Sequence, residues 1–459
     1  MSDTIVALAT PAGRSSIGVI RLSGDDSLAF AERLSSNDGS TVAPRTSRLI
    51  QLRNPISGEA IDEALVTYFK SPHSFTGEDV VEIACHGSPV VLRQVVDICL
   101  RFGARMAEAG EFSLRALANG RMDLSEAEAI RDLIDAQTTA SARQAVRQLR
   151  GEFSHRLQPI KDELLDSIVV LESALEFVED DLPEIQSAAV RSRISGVADA
   201  VGRLASTFKA GQLIREGLRI ALVGRPNVGK SSLFNALVGS ERAIVTDIAG
   251  TTRDQIHEKF TVGDIPISLI DTAGLRKTSD TVESIGVERS WRTMADVDQV
   301  IVILDASESI TREDRVVVES VGELRHLFAI NKIDKLPADA SEKLLADFKE
   351  LLPDSSTVVQ LSAKTGEGIS ELKSALIEPF AASDGYTAGF LVTDARHHDL
   401  LVRAESEIRQ SVDLLDKKMS EEIVLIGLHN ALRYLGQITG ETTTEDMLTR
   451  IFSTFCIGK

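Results

Sequence analysis

The stretch GRPNVGKS, Gly224 to Ser231, joins an apolar run, LRIALV, to a helix-forming run, SLFNALVG. It fits the pattern G-x-x-x-x-G-K-[ST], in which backbone N–H groups curl around phosphate oxygens at a helix N-terminus. Lys230 brings charge to the outer phosphates and Ser231 an oxygen to Mg²⁺. Four further motifs follow in order, each at the end of a strand-like run: VTDIAGTTRD (245–254), DTAG (271–274), NKID (331–334) and SAK (362–364). Asn331 and Asp334 suit guanine, because a carboxylate accepts the paired hydrogen bonds of guanine N1–H and N2–H, which adenine does not offer. The chemistry expected is GTP binding in preference to ATP.

This set resembles the translation-factor-like GTPases. The resemblance implies that Thr252 completes Mg²⁺ coordination beside Ser231, that Asp271 reaches the metal through water, and that the Gly274 amide senses the γ-phosphate. The nucleotide site it implies comprises Asn227, Val228, Gly229, Lys230, Ser231 and Ser232, then Thr246, Asp247, Ile248, Ala249, Gly250, Thr251 and Thr252. Asp271, Thr272, Ala273 and Gly274 follow, and Asn331, Lys332, Asp334, Ser362, Ala363 and Lys364 complete it. Leu275 stands where Ras-like proteins place a water-orienting glutamine, and an aliphatic side chain cannot hydrogen-bond water. Hydrolysis is then either absent or organised by another group. Asn227 offers an amide oxygen to a monovalent cation beside the phosphates, or simply suits a tight turn. Glu283 offers a carboxylate to position water, or is a solvated surface charge; Glu288 is equally eligible.

A second feature lies at FSTFCIGK, residues 452–459, where Cys456 is followed by Ile457, Gly458 and Lys459. A frayed tail, a prenylation box and a tucked-in arm compete. Gly458 is not aliphatic, Lys459 is a poor final residue and no polybasic run precedes the cysteine, all of which argue against prenylation. Met447, Ile451, Phe452 and Phe455 recur at helical spacing, which predicts a helix with a buried face running almost to the last residue. DARHHD (394–399) holds metal-ligating residue types, but adjacent histidines on a helix point apart, and a solvated helix start is expected. Cys85 and His86 could in principle form a nucleophile–base pair, but strand neighbours face opposite sides, so the pair is not the expectation.

Several elements must position these residues. The 459 residues exceed one ordinary core, and 43% hydrophobic with 26% charged residues is a soluble globular composition. A formal charge of -19 argues against attraction of the whole surface to nucleic acid, though not against a local basic groove or an RNA held by a second protein. Three scattered cysteines, the absence of a signal pattern in MSDTIVALATPAGR and the absence of a spanning apolar run predict a cytoplasmic protein with no membrane segment. Residues 1–118 read as a compact α+β domain, with TIVALAT, SIGVIRLSG, IDEALVTYF and EDVVEIACHG as strands and PVVLRQVVDICLR as a helix ending near a glycine. Residues 119–210 read as amphipathic helices, with Leu124, Ala127, Ile130, Leu133 and Ile134 on one face. Residues 216–377 alternate strand and helix, the pattern of a mostly parallel sheet covered on both faces, and 380–459 return to helices. The fold expected is multidomain: an N-terminal α+β domain, and a discontinuous helical bundle carrying an inserted Ras-like α/β domain.

The inserted GTPase motifs, together with ATPAGR near the start, SFTGED (74–79), GEFSLRALANGRMDL (110–124) and the terminal CIGK, resemble the bacterial tRNA-modification GTPases of the MnmE (TrmE) family over essentially all of the chain. The resemblance implies that Asn227 binds K⁺ with Thr246, Ile248 and Thr251, and that K⁺ promotes pairing of two G domains and substitutes for an arginine finger. Glu283 matches the glutamate that orients water, and Leu275 fits the family. The N-terminal domain is implied to be the folate-binding and homodimer-forming module. Arg21, Glu82 and Arg121 would contact a 5-formyl- or 5,10-methylene-tetrahydrofolate; Arg121 stands where lysine is frequent, a change of geometry. The tail would return to that pocket, bringing Lys459 to the folate and Cys456 near the modification chemistry. The activity implied is GTP hydrolysis coupled, with the FAD-dependent partner MnmG, to aminomethyl or carboxymethylaminomethyl addition at the wobble uridine of tRNA. Two other classes compete: a ribosome-assembly-type GTPase switch, and a one-carbon transferase regulated by GTP.

Overall fold

The computed structural model describes residues 3–35, 42–176, 184–239, 257–271, 297–322, 324–336, 348, 351–353, 356–381 and 389–458. The chain divides into two compact units, one of Met1–Ile134, Arg147–Ala198 and Arg403–Lys459, the other of Asp135–Val146 and Asp199–Val402.

In the first unit, β1 (Ile5–Leu8), β2 (Ile17–Ser23), β3 (Ser47–Arg53), β4 (Ala60–Phe69), β5 (Val80–His86) and β6 (Arg105–Met106) form a sheet in the order β3-β4-β5-β2-β1-β6. The strand β6 runs parallel to β1 and the remaining neighbours are antiparallel. Helices Ser27–Leu34 and Pro89–Arg101 bring Phe30, Leu34, Leu92 and Val95 into one core with Ile20, Leu22, Val81 and Ile83 of the sheet. Strand side chains alternate between faces. Arg21 and Glu82, cross-strand partners in the β2–β5 register, therefore lie on the opposite face, where Ile5, Ala7, Ala107 and Phe112 form a smaller cluster with Phe75.

The helices of this unit carry the tail. Helix Glu152–Glu176 packs along helix Glu421–Thr439, with Lys161 Nζ donating to both Glu441 carboxylate oxygens at 2.5 and 2.6 Å. Helix Leu124–Asp135 buries Leu124 and Ala127 against Phe452 and Phe455. Its apolar stripe does not extend as the sequence suggests: Ile134 is 45% exposed. The last helix, Glu445–Phe452, also stops earlier than the apolar spacing implies. The amides of Thr454 and Phe455 turn back to the carbonyls of Ile451 and Phe452, and the chain continues as a bridge between Ile457 and Ala109. Phe455 keeps its buried place from a turn rather than from the helix.

In the second unit, β7 (Leu218–Val223), β8 (His257–Val262), β9 (Ile265–Asp271), β10 (Gln299–Asp305), β11 (His326–Asn331) and β12 (Val358–Gln360) are ordered β12-β11-β10-β7-β9-β8, with only β8 antiparallel among these described strands. Each face has its own core. Ile220, Leu222, Ile301 and Ile303 point to one with Leu233, Leu237 and Leu372, and Val300, Val302, Leu304 and Phe328 to the other with Val321 and Phe348. Burial on both faces explains why QVIVILD and HLFAIN are almost continuously apolar. Leu213, on helix Phe208–Glu216 just before β7, also belongs to the first of these cores.

Candidate functional site

The phosphate loop leaves β7 and ends where helix Lys230–Gly239 begins, at the C-terminal edge of the parallel strands, where open α/β sheets bind ligands. Gly229 (φ +103) is the residue that allows this turn, since a Cβ there would lie 2.3 Å from Asn331 Nδ2. Asn227, also left-handed at φ 65, is exposed, while Val228 is fully buried and anchors the loop. Lys230 Nζ donates to the carbonyls of Gly224 and Arg225 at 2.8 and 2.7 Å. Ser231 and Ser232 are exposed at the helix start, where amides and hydroxyls together form a donor set suited to phosphate and to a hard cation. Arg225 is held from behind, by Glu308 at 2.6 Å and by Asp314 at 3.2 Å, the latter being the third residue of a capping box with Thr311.

The residues expected to read guanine are bonded to this loop. Asn331, 2% exposed at the end of β11, donates from Nδ2 to the Val228 carbonyl at 2.9 Å and accepts from the Ala363 amide at 3.0 Å. Lys332 (φ 67) donates to the Asn227 carbonyl at 2.7 Å. Asp334 accepts from Ser362 Oγ at 2.7 Å, which fixes its carboxylate while leaving the residue exposed for a ligand. Lys364 is exposed on the same turn. Asn227, Val228, Gly229, Lys230, Asn331, Lys332, Asp334, Ser362 and Ala363 are thus brought together. Asp271 closes β9, with its side chain outside the described residues. Thr246, Asp247, Ile248, Ala249, Gly250, Thr251, Thr252, Thr272, Ala273, Gly274, Leu275, Glu283, Glu288 and Lys459 also lie outside the described residues. One residue that no motif singles out enters this group: Asp305, at the end of β10, pairs with Lys332 at 2.5 Å. The signal available was its place at a strand end in VILDAS.

A second constellation lies on the face of the N-terminal sheet opposite its main core. Arg21 donates to Glu82 Oε1 from Nε at 3.0 Å and from Nη2 at 2.7 Å, and its guanidinium lies 5.3 Å from the Phe75 ring centre and 5.8 Å from that of Phe112. Its Nη1 donates to the carbonyl of Gly458 at 3.3 Å. The tail is held beside it: the Gly110 amide donates to the Cys456 carbonyl at 3.4 Å, and Gly458 (φ +95) leaves no room for a Cβ, which would sit 2.5 Å from the Leu8 carbonyl oxygen. Cys456 itself is exposed. Arg121 is exposed, with its stem beside Gly77. Nearby, the buried Arg115 (4% exposed) joins Glu78, Glu111 and the exposed Asp3 in a charge network, and Glu78 also accepts from Ser23 Oγ at 2.8 Å.

The expectation for DARHHD is overturned. His397 is fully buried, His398 stacks on Phe208 with ring centres 4.2 Å apart, and Asp394 accepts from Arg215 Nη1 at 2.7 Å. These residues begin the helix Ala395–Asp416 as packing and pairing groups, not as a solvated start. Cys85 and His86 do face opposite ways: burial pushes the Cys85 thiol up to about 12, whereas His86 bonds Asp62 at 2.7 Å in the open. Among the described residues no helix is long and apolar enough to cross a membrane.

Comparison with known proteins adds an independent line. The family model described as the MnmE helical domain matches residues 124–456, and that described as the GTP-binding protein TrmE N-terminus matches residues 4–121. Similar curated proteins include the tRNA modification GTPase MnmE of Koribacter versatilis, 44% identical, with all of both chains covered. The proteins of that name from Aquifex aeolicus, 42% identical over all of both chains, and Acetivibrio thermocellus, 40% identical over 100% of this chain and 99% of the relative, agree.

Proposed function

The chain belongs to the MnmE family of tRNA modification GTPases, and on that premise we propose that it hydrolyses GTP in the service of wobble-uridine modification in the cytoplasm. The observation that carries the nucleotide half is the pair of side chains, Asn331 and Lys332, that hold the Val228 and Asn227 carbonyls and so tie a guanine-selecting loop to a phosphate loop. A site in which base and phosphates are gripped by mutually bonded loops is suited to a purine nucleotide held at both ends. Lys230, Ser231 and the amides around Gly229 take the phosphates; Asp334 takes the guanine edge. Ser231 and Thr252 would hold Mg²⁺, and Asn227, Thr246, Ile248 and Thr251 would hold K⁺; bound there, the two ions would supply charge neutralisation for phosphoryl transfer. Glu283 orients the attacking water in place of the side chain that Leu275 lacks.

The modification half rests on the N-terminal face. Arg21, Glu82, Arg121 and Lys459 are proposed to bind a tetrahydrofolate derivative, the source of the one-carbon unit. Arg21 already engages Glu82, so the folate would meet an ion pair whose guanidinium and carboxylate offer a donor and an acceptor side by side. Cys456, exposed on the docked tail, would stand near the chemistry either as nucleophile or as neighbour. The proposed assembly is a homodimer through residues 1–118, with GTP- and K⁺-dependent pairing of the domains spanning 216–377, the helical portions being 119–210 and 380–459. MnmG and tRNA are the proposed partners. A ribosome-assembly switch would leave the TrmE-type N-terminus without a purpose. Two measurements test the proposal. GTP hydrolysis should be far faster in KCl than in NaCl, and equal rates would remove the potassium role. Deletion of the gene should erase the wobble substituent in a mass spectrum of tRNA nucleosides; an unchanged spectrum would sink the modification reading.

A further inference from the structure

Asp305 carries a carboxylate that lies outside every nucleotide motif. Its side chain is 1% exposed at the end of β10. Oδ1 accepts from the Ser307 amide at 2.9 Å and from Ser307 Oγ at 2.7 Å, which leaves Oδ2 directed at Lys332 Nζ, 2.5 Å away. Lys332 donates onward to the Asn227 carbonyl. Three separate strand ends, those of β7, β10 and β11, are thereby linked through one ammonium group.

The linkage joins two residues that need support. Asn227 and Lys332 are both left-handed, at φ 65 and 67, a conformation that non-glycine residues hold only where their surroundings over-determine it. A lysine stem is flexible, and its ammonium is strongly hydrated. A backbone carbonyl alone does not hold such a group out of water; a buried carboxylate on its far side does. Burial by itself would raise the Asp305 pKa, yet the hydrogen bonds from Lys332 and Ser307 hold it below the usual carboxylate range, so the charge persists at neutral pH.

We propose that Asp305 is a positioning residue for nucleotide binding: it keeps the Lys332 ammonium on the Asn227 carbonyl and so fixes the phosphate loop at the residue whose side chain is assigned to the monovalent cation. The proposal rests on the guanine-nucleotide reading above and adds to it a residue outside the five motifs. Because Lys332 is the intermediary, the effects of altering Asp305 and Lys332 are not independent.

The test is the rate at which fluorescent mant-GDP leaves the full-length protein, measured for the wild type, Asp305→Asn, Lys332→Gln and the double variant, with a melting curve for each. Wild-type protein that binds mant-ADP as well as mant-GDP would defeat the guanine reading itself, which separates that failure from failure of the proposal. With guanine selectivity in place, each single variant is expected to release mant-GDP about tenfold faster, the loss of one charged hydrogen bond, and the double variant no faster than Lys332→Gln. Release from Asp305→Asn at the wild-type rate would overturn the proposal. So would a double variant in which the two effects multiply, since a merely structural Asp305 acts without Lys332. If Asp305→Asn melts too low to assay, the double variant, which leaves no unpaired buried charge, decides alone: a rate equal to Lys332→Gln supports the proposal and a faster one overturns it.

Discussion

Arg21 and Glu82 face each other across β2 and β5, and the same guanidinium that grips Glu82 Oε1 at 2.7 Å also accepts the tail by donating to the Gly458 carbonyl at 3.3 Å. The arginine therefore couples a strand-to-strand pair to the position of a segment 437 residues away. Arg21→Ala should loosen the tail while leaving the sheet formed. In hydrogen exchange, the Gly110 amide, which donates to the Cys456 carbonyl, is expected to lose about tenfold in protection. Unchanged protection would show that the tail is held without Arg21.

Gly458 offers a sharper lever on the same contact. Gly458→Ala introduces a Cβ 2.5 Å from the Leu8 carbonyl oxygen at a φ of +95, whereas Gly58, at φ +75, has open space around it. Both substitutions carry the strain of a left-handed alanine, about 1–2 kcal/mol, but only the first carries the clash. Tail protection should fall in Gly458→Ala and not in Gly58→Ala, and GTP turnover should be the same in both. Equal behaviour of the two in exchange would refute close packing at Leu8.

The three cysteines should separate cleanly by reactivity. Burial pushes the thiols of Cys85 and Cys99 up to about 12, while Cys456 is exposed. Brief treatment of the native protein with iodoacetamide at neutral pH is expected to label Cys456 alone, as read by peptide mass spectrometry, because the thiolate is the reactive form. Label on Cys85 or Cys99 before unfolding would contradict the burial.

The Asp394 carboxyl should shape the acid limb of stability. Burial alone would raise its pKa, but the charges of His397 and Arg215 outweigh it and hold the group well below the usual carboxylate range. A folded value below the unfolded one of about 3.9 contributes stability that is present above that pH and is lost as the pH falls toward the folded value. Asp394→Asn should therefore destabilise the protein at pH 7 by about 3 kcal/mol, the cost of breaking a buried pair. It should also flatten the decline in melting temperature between about pH 4 and pH 2. A parallel decline in both proteins would count against the pairing.

Phe452 tests the seat of the last helix. It is 2% exposed among Leu124, Ala127 and Phe455, with its ring centre 5.0 Å from that of Phe455. Phe452→Ala should cost about 3–5 kcal/mol in denaturant unfolding of the unit that contains it; a loss under about 1 kcal/mol would mean that the helix is not packed as described.

The loops around Gly229 and Asn331 are legible in sequence because each needs a residue type that backbone geometry enforces. Gly229 must lack a Cβ where Asn331 Nδ2 passes, and Asn331 must both donate and accept. Asp305 was legible only as a carboxylate at a strand end, not as a member of the site. A single carboxylate at a strand end has no spacing to mark it, and its role depends on Lys332, which only the pairing of β10 with β11 brings near. The tail was half legible. Apolar spacing revealed that Phe452 and Phe455 are buried, but a turn that returns Phe455 to the same side is indistinguishable by period from one more helical turn. At DARHHD the error was one of environment. Phe208 and Arg215, which cover His398 and Asp394, lie in a distant helix, and local composition carries no trace of them.

The contact between Arg21 and Gly458 also orders events in time. A chain emerging from the ribosome can complete β1 to β6 long before residue 458 exists, and loop closure over 437 residues is among the most non-local steps the fold requires. The N-terminal sheet should thus be a finished platform awaiting the segment around Gly458. Until the segment around Gly458 is made, Arg21 and Glu82 stand without the carbonyl that Arg21 also holds, so this site is completed by joining chain regions synthesised far apart in time.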